Sequence, residues 1–193
     1  MKRLAIFLAA LPLAGCVSFA AKPPPSLLDL TAAEQVKPGQ EQDASSAKTV
    51  TISVPVVPQA LSTARVPVQA TPTSVAYVKD ALWVEAPQRL FARLLSDTIA
   101  ARTGRVVLGA AQAFGDPGAR IGGELRNFGI DAASSSAVVT FDAALVRGEG
   151  GKVEKQRFEA RVPVARIDAA SVGQALNKGA NQVAAEVADW IGK

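Results

Sequence analysis

Tyr77-Val78-Lys79-Asp80-Ala81-Leu82-Trp83-Val84-Glu85-Ala86-Pro87 joins a strand to a helix, and that join decides the class of the fold. Pro87 suits the first turn of a helix, where its missing N–H has no partner to lose. From there Leu90, Phe91, Leu94, Leu95, Thr98 and Ile99 recur at three- and four-residue spacing, with Arg89, Arg93, Ser96 and Asp97 on the opposite side. Arg93 and Asp97 stand one turn apart and are expected to pair. Gly104 offers a left-handed C-terminal cap, and Arg105 to Leu108 reads as a returning strand.

Upstream of the join, Thr49 to Val57 is rich in β-branched residues, with Val50, Ile52, Val54 and Val56 alternating on one face. Pro55 and Pro58 lack the amide proton of a central strand, so an edge position or a strand end is expected. Arg65 to Gln69 and Ser74 to Val78 read as two short strands about the Thr71-Pro72-Thr73 turn.

Downstream, a loop through Phe114 to Gly118 leads into three longer strands. Ile121, Gly123 and Leu125 share a face, but the apolar parity then moves to Phe128 and Ile130, which requires a β-bulge near Asn127. Ser134-Ser135-Ser136 turns the chain into Ala137 to Arg147, with Val139, Phe141, Ala143 and Leu145 inward. Gly148 to Gly151 connects to a partner strand with Phe158, Ala160, Val162 and Val164 inward and Glu159 and Arg161 outward. Such a meander is solvated on one face. Asp168 is placed to cap a closing helix carrying Val172, Leu176, Gly179, Val183, Val187, Trp190 and Ile191 at helical period. Two striped helices and a one-faced sheet make an α+β fold: a two-layer sandwich of a mainly antiparallel sheet with both helices on one face.

The chain of 193 residues contains no histidine and one cysteine, Cys16. The first absence removes the commonest general base, the Ser-His-Asp constellation and the usual zinc ligand together. Ser45-Ser46-Ala47-Lys48 fits Ser-x-x-Lys, but Ser96-Asp97-Thr98 lacks the companion Asn and no Lys-Thr-Gly exists. No glycine cluster is followed by Gly-Lys-Ser/Thr, so no phosphate loop, cofactor motif or metal motif is present. The basic residues are spread singly, without interleaved aromatics, which argues against a nucleic-acid partner. Glu85 and Glu124 read as solvated single carboxylates.

At the N-terminus, Met1-Lys2-Arg3 is followed by an apolar run, Leu4 to Leu13, and by Ala14-Gly15. This is the pattern of a secretory signal peptide, and the apolar run is about half of what a membrane-spanning helix needs. Leu13-Ala14-Gly15-Cys16 resembles the lipobox of bacterial lipoproteins, with cleavage between Gly15 and Cys16 and acylation of the Cys16 sulfur. The alternative is an ordinary signal peptide cut elsewhere. Residues 1–15 are thus the expected leader, 16–48 a Pro-, Ala-, Gln- and Ser-rich tether, and 49–193 the folded domain. Within the tether, Leu27-Leu28-Asp29-Leu30 is expected as a short strand.

With Leu82-Trp83, Pro87, the Leu90-to-Ile99 helix, the meander and the closing helix in this order, the chain resembles the ABC-type transport auxiliary lipoproteins. That family includes the lipoprotein encoded with the paraquat-inducible proteins and those that accompany MCE-domain (mammalian cell entry) transporters. The resemblance implies a non-catalytic, cofactor-free periplasmic subunit, whose partners are an MCE-domain protein and an ABC permease and ATPase, moving phospholipids or other hydrophobic molecules. Val17 in place of Asp implies sorting to the outer membrane. The alternative reading is a structural lipoprotein that scaffolds outer-membrane machinery without handling lipid. Val54, Tyr77 and Trp83 are the candidate contacts with a partner or with further copies, Val54 through an open strand edge and Trp83 as an aromatic anchor. The competing reading of Trp83 and Tyr77 is as core, and Trp190 is expected in the core.

Overall fold

The computed structural model describes residues 26–42, 49–112, 118–148 and 151–192. The leader, Cys16 and the Ser45-to-Lys48 motif lie outside the described residues. The elements are β1 (Val50–Ile52), β2 (Arg65–Thr71), β3 (Ser74–Leu82), α1 (Pro87–Thr103), β4 (Val107–Gly109), β5 (Ala119–Asp131), β6 (Ser136–Arg147), β7 (Val153–Pro163) and α2 (Ala169–Gly192). The expected α+β sandwich is what forms.

β5 is the hub of the sheet. Along one edge it pairs antiparallel with β6 over its whole length, and β6 with β7. The other edge is shared: β1 runs parallel to its first residues, Val50 facing Ala119, and β2 runs parallel to its last, Val68 facing Ile130. β4 pairs with the free side of β1, and β3 with β2. The bulge expected near Asn127 is present, since Leu125 faces Phe141 and Asn127 faces Thr140, leaving Arg126 as the extra residue. The odd residues Ala137 to Leu145 of β6 and Phe158, Ala160 and Val162 of β7 then fill one face.

β1 is not an edge strand. It ends at Ile52, before Pro55, so the proline never interrupts the ladder and β1 is flanked by β4 and β5. The alternation expected through Val56 also breaks. Ser53 N–H bonds to Ile121 O and Val56 N–H to Gly123 O, so three residues on this side span two on β5 and the faces invert. Pro55 turns in, and Val54 and Val56 turn out.

Both helices cover the inner face. An aromatic chain ties α1 to the sheet: Phe91 packs edge-on to Phe141 at 5.3 Å and tilted to Phe128 at 6.5 Å, and Phe128 meets Trp83 at 5.3 Å. Gly179 lets α2 lie close, because a Cβ there would meet a methyl of Val139 at 3.1 Å. The C-terminus of α2 is closed by Arg147, whose guanidinium donates to the Trp190 and Ile191 carbonyls, each at 3.0 Å. Trp190 is partly buried against Phe158.

Asp168 caps α2 as its position implies, accepting from the Ser171 N–H at 2.8 Å. That backbone bond holds its carboxyl below the usual carboxylate range, helped by Arg166. A carboxylate with a lowered folded pKa stabilises the fold above its unfolded pKa of about 4, and the contribution is lost as pH falls through the folded value. Asp168→Ala is therefore expected to lower the urea midpoint at pH 7 and to match the wild type once the cap is protonated. Urea titrations at pH 7 and at strongly acidic pH check this.

Candidate functional site

Of the three candidate contacts, only Val54 stands on open surface, at 55% exposure. Tyr77 is half-buried on the outer face of the β2–β3 hairpin, with the Arg65 guanidinium 3.9 Å above its ring. Trp83 is core: it is 2% exposed and packs, tilted, against Phe128 on the helix side of the sheet. An anchor for a partner must project outward, and this one points in. Val54 loses its proposed role as a strand acceptor too, since β1 has no open edge.

The backbone at Trp83 organises a surface that composition hid. Trp83 donates its N–H to Ala64 O at 2.7 Å, and on its other side Leu28 N–H bonds Leu82 O at 2.7 Å while Val84 N–H bonds Leu28 O at 2.8 Å. Leu28 thus forms a parallel bridge to Trp83, a single pairing where a short strand is expected. Its side chain rests on Gly173 of α2, where a Cβ would stand 2.8 Å from a Leu28 methyl.

From Leu28 the chain runs as a strap along the helices. Leu30 and Ala32 turn into the core. Asn177 accepts the Thr31 N–H at 2.9 Å, and Asn181 accepts the Ala33 N–H at 2.7 Å while donating to Thr31 O at 3.0 Å. Two arginines clamp it. Arg93 joins Asp29 (3.0 Å) to Glu85 (2.8 Å), and Arg102 joins Glu34 (2.6 Å) to Asp189 (2.8 Å). Arg93 therefore serves the strap instead of pairing with Asp97, and Glu85 is not a lone carboxylate. Asp97, under the far end of the strap region beside Gln35 and Val36, has its pKa raised by burial against the opposing pull of Arg93. Residues 28–34 thus belong to the folded body, although the expected tether includes them. The missed signal is Asn177 and Asn181, two poor helix formers one turn apart on the polar face of α2.

The outer face of the sheet carries an open cleft of about 470 Å³. It forms where the chain leaves β5 after Val56 and rejoins it as β2, with Pro58 and Leu61 on one wall, Pro67 and Val75 on another, and Gly129 and Val138 in the floor. Only glycine fits at 129, because a Cβ would overlap the Pro67 carbonyl. Arg126 and Arg161 stand at the rim, and both are engaged: Arg126 with Glu124 (3.5 Å) and Asp142 (3.6 Å), Arg161 with Glu159 (2.8 Å) and Asp131 (3.4 Å). Arg157 adds a fork onto Asp142 at 2.6 and 2.8 Å, which lowers that carboxyl's pKa. Asp131 is lowered by the Ser134 hydroxyl first. These arginines and carboxylates thus pair among themselves.

A sheet split along β5, two covering helices and a strapped N-terminal segment define an α+β body. Among the described residues no helix is long and apolar enough to cross a membrane. The family model of the ABC-type transport auxiliary lipoprotein component matches residues 29–188, and the chain belongs to that family. The match begins in the strap. In fold the chain resembles protein XCC0632 from Xanthomonas campestris, at a TM-score of 0.71 and 17% identity, over 86% of this chain and 94% of that one. A second crystal structure, of an uncharacterized protein, gives a TM-score of 0.65 at 16% identity, over 75% and 92%. No curated protein sequence matches this chain significantly.

Trp83→Ala is expected to cost about 3–5 kcal/mol in urea unfolding, as for a large buried aromatic. Val54→Ser, on open surface, should stay within about 0.5 kcal/mol.

Proposed function

We propose that this protein is the lipid-anchored auxiliary subunit of an MCE-linked ABC transport system, held on the periplasmic face of the outer membrane and serving the movement of phospholipids or other hydrophobic molecules. Membership of the auxiliary lipoprotein family over residues 29–188, in a chain whose Leu13-to-Cys16 stretch resembles a lipobox, carries the reading. The family's description associates it with ABC transport and with the envelope. The absence of histidine and the mutually neutralised charges of the outer face support a binding and positioning role over catalysis. Two or more acyl chains on Cys16 make membrane residence effectively permanent, where one gives only marginal binding.

The test is isolation of the tagged full chain from envelope membranes. An MCE-domain protein, a permease and an ATPase are expected to come with it, in the outer-membrane fraction. Co-isolation of outer-membrane assembly proteins in their place would favour the scaffold reading. Cys16→Ala should release the chain from the membrane fraction, and retention of that variant would contradict the anchor.

A further inference from the structure

The strap changes the geometry of the anchor, and the consequence rests on acylation of Cys16. Leu28 is fixed to the body by two backbone hydrogen bonds and by its packing on Gly173. Only 28 − 16 = 12 Cα–Cα steps separate it from Cys16. Twelve such steps span at most about 40 Å, roughly the diameter of a domain of this size. The body therefore stays within about one domain diameter of the bilayer, tethered to it by the end from which the chain emerges.

That end is identifiable. The strap passes α2 in order from Gly173 at Leu28 to Asn181 at Ala33, so Leu28 lies toward the N-terminus of α2. α1 runs alongside in the same direction, since Arg102 in its last turn meets Asp189 near the end of α2. Val164 N–H bonds Ser135 O, which places the β5–β6 turn at this end as well. Here stand three large apolar side chains in the open: Leu27 at 52%, Val84, which follows the bridged Trp83, at 51%, and Ile167 just before α2 at 45%. Arg89, in the first turn of α1, and Arg166, which pairs with Asp168 at 3.2 Å, are exposed at this end. Nothing in the fold needs these apolar groups in water.

We propose that this end is a membrane-contacting surface: Leu27, Val84 and Ile167 enter the headgroup layer of the phospholipid leaflet that holds the Cys16 acyl chains, with Arg89 and Arg166 at the level of the phosphates. An amphipathic surface of this kind gains from both apolar burial and anionic lipid. Orientation of the body is thereby set, with the β6–β7 end held away from the bilayer.

The test uses the acylated full chain in phosphatidylethanolamine–phosphatidylglycerol vesicles, with an NBD fluorophore on an introduced cysteine, the native sulfur being blocked by its lipid. Val84→Cys and Ile167→Cys report on the proposed surface. Val153→Cys, 61% exposed at the start of β7 and so at the opposite end, is the control. Acyl chains brominated near the headgroup are expected to quench the first two at least threefold more than the third. Equal quenching at all three sites in protein that floats with the vesicles would overturn the orientation while leaving the anchor intact. Failure to float, with no acyl groups on Cys16, would overturn anchor and orientation together. Shielding of positions 84 and 167 from iodide without vesicles would mark contact between copies and contradict the lipid assignment.

Discussion

The backbone crossing at Trp83 is where the structure is tied. Within three residues, Leu82 O and Val84 N–H hold Leu28, Trp83 N–H holds Ala64, and the indole packs on Phe128 of the central strand. Phe128 in turn touches Phe91, and Phe91 touches Phe141, so one continuous contact runs from the strap through the hairpin and β5 into α1 and β6. Fully buried aromatic groups resist displacement because the surrounding core is close-packed. The N-terminal segment is consequently part of the body, gripped by α2 through Asn177 and Asn181 and clamped by Arg93 and Arg102.

The outer face follows from a different constraint. Two separate segments share the edge of β5 opposite β6: the chain runs along its first half, departs at Val56, and returns as β2. The departure leaves the cleft and the bulge at Arg126, and the charges brought there pair among themselves. Exposed ion pairs of this kind add little stability each. Their effect is to keep a broad sheet face wet and soluble, and β7, the long edge strand, is guarded by Glu154, Lys155, Arg157, Glu159 and Arg161 against pairing with other chains.

Much of this was legible from residue pattern. Periodicity placed both helices, the meander and the inward residues of β6 and β7, and the parity change between Leu125 and Phe128 located a bulge, because each signal is local and repeated. What escaped was set by long-range pairing. Pro55 suggested an edge for β1, yet the proline falls past the strand's end, and β4 and β5, distant in sequence, fill both sides. Trp83 reads first as core, with a partner anchor as the rival, and Phe128 lying opposite decides for the core. The strap was hidden because a composition rich in Pro, Gln and Ala describes the average of residues 16–48, whereas docking depends on four positions, Leu28, Leu30, Asn177 and Asn181.

Residues 28–34 are bolted to the domain, and hydrogen exchange of the backbone amides in the full chain reads that docking residue by residue. The amides of Leu28, Thr31, Ala33 and Val84 should exchange together with the core amides of α2, slower than those of residues 35–42 by orders of magnitude. Exchange of Leu28, Thr31 and Ala33 at the rate of an unstructured peptide would contradict the account.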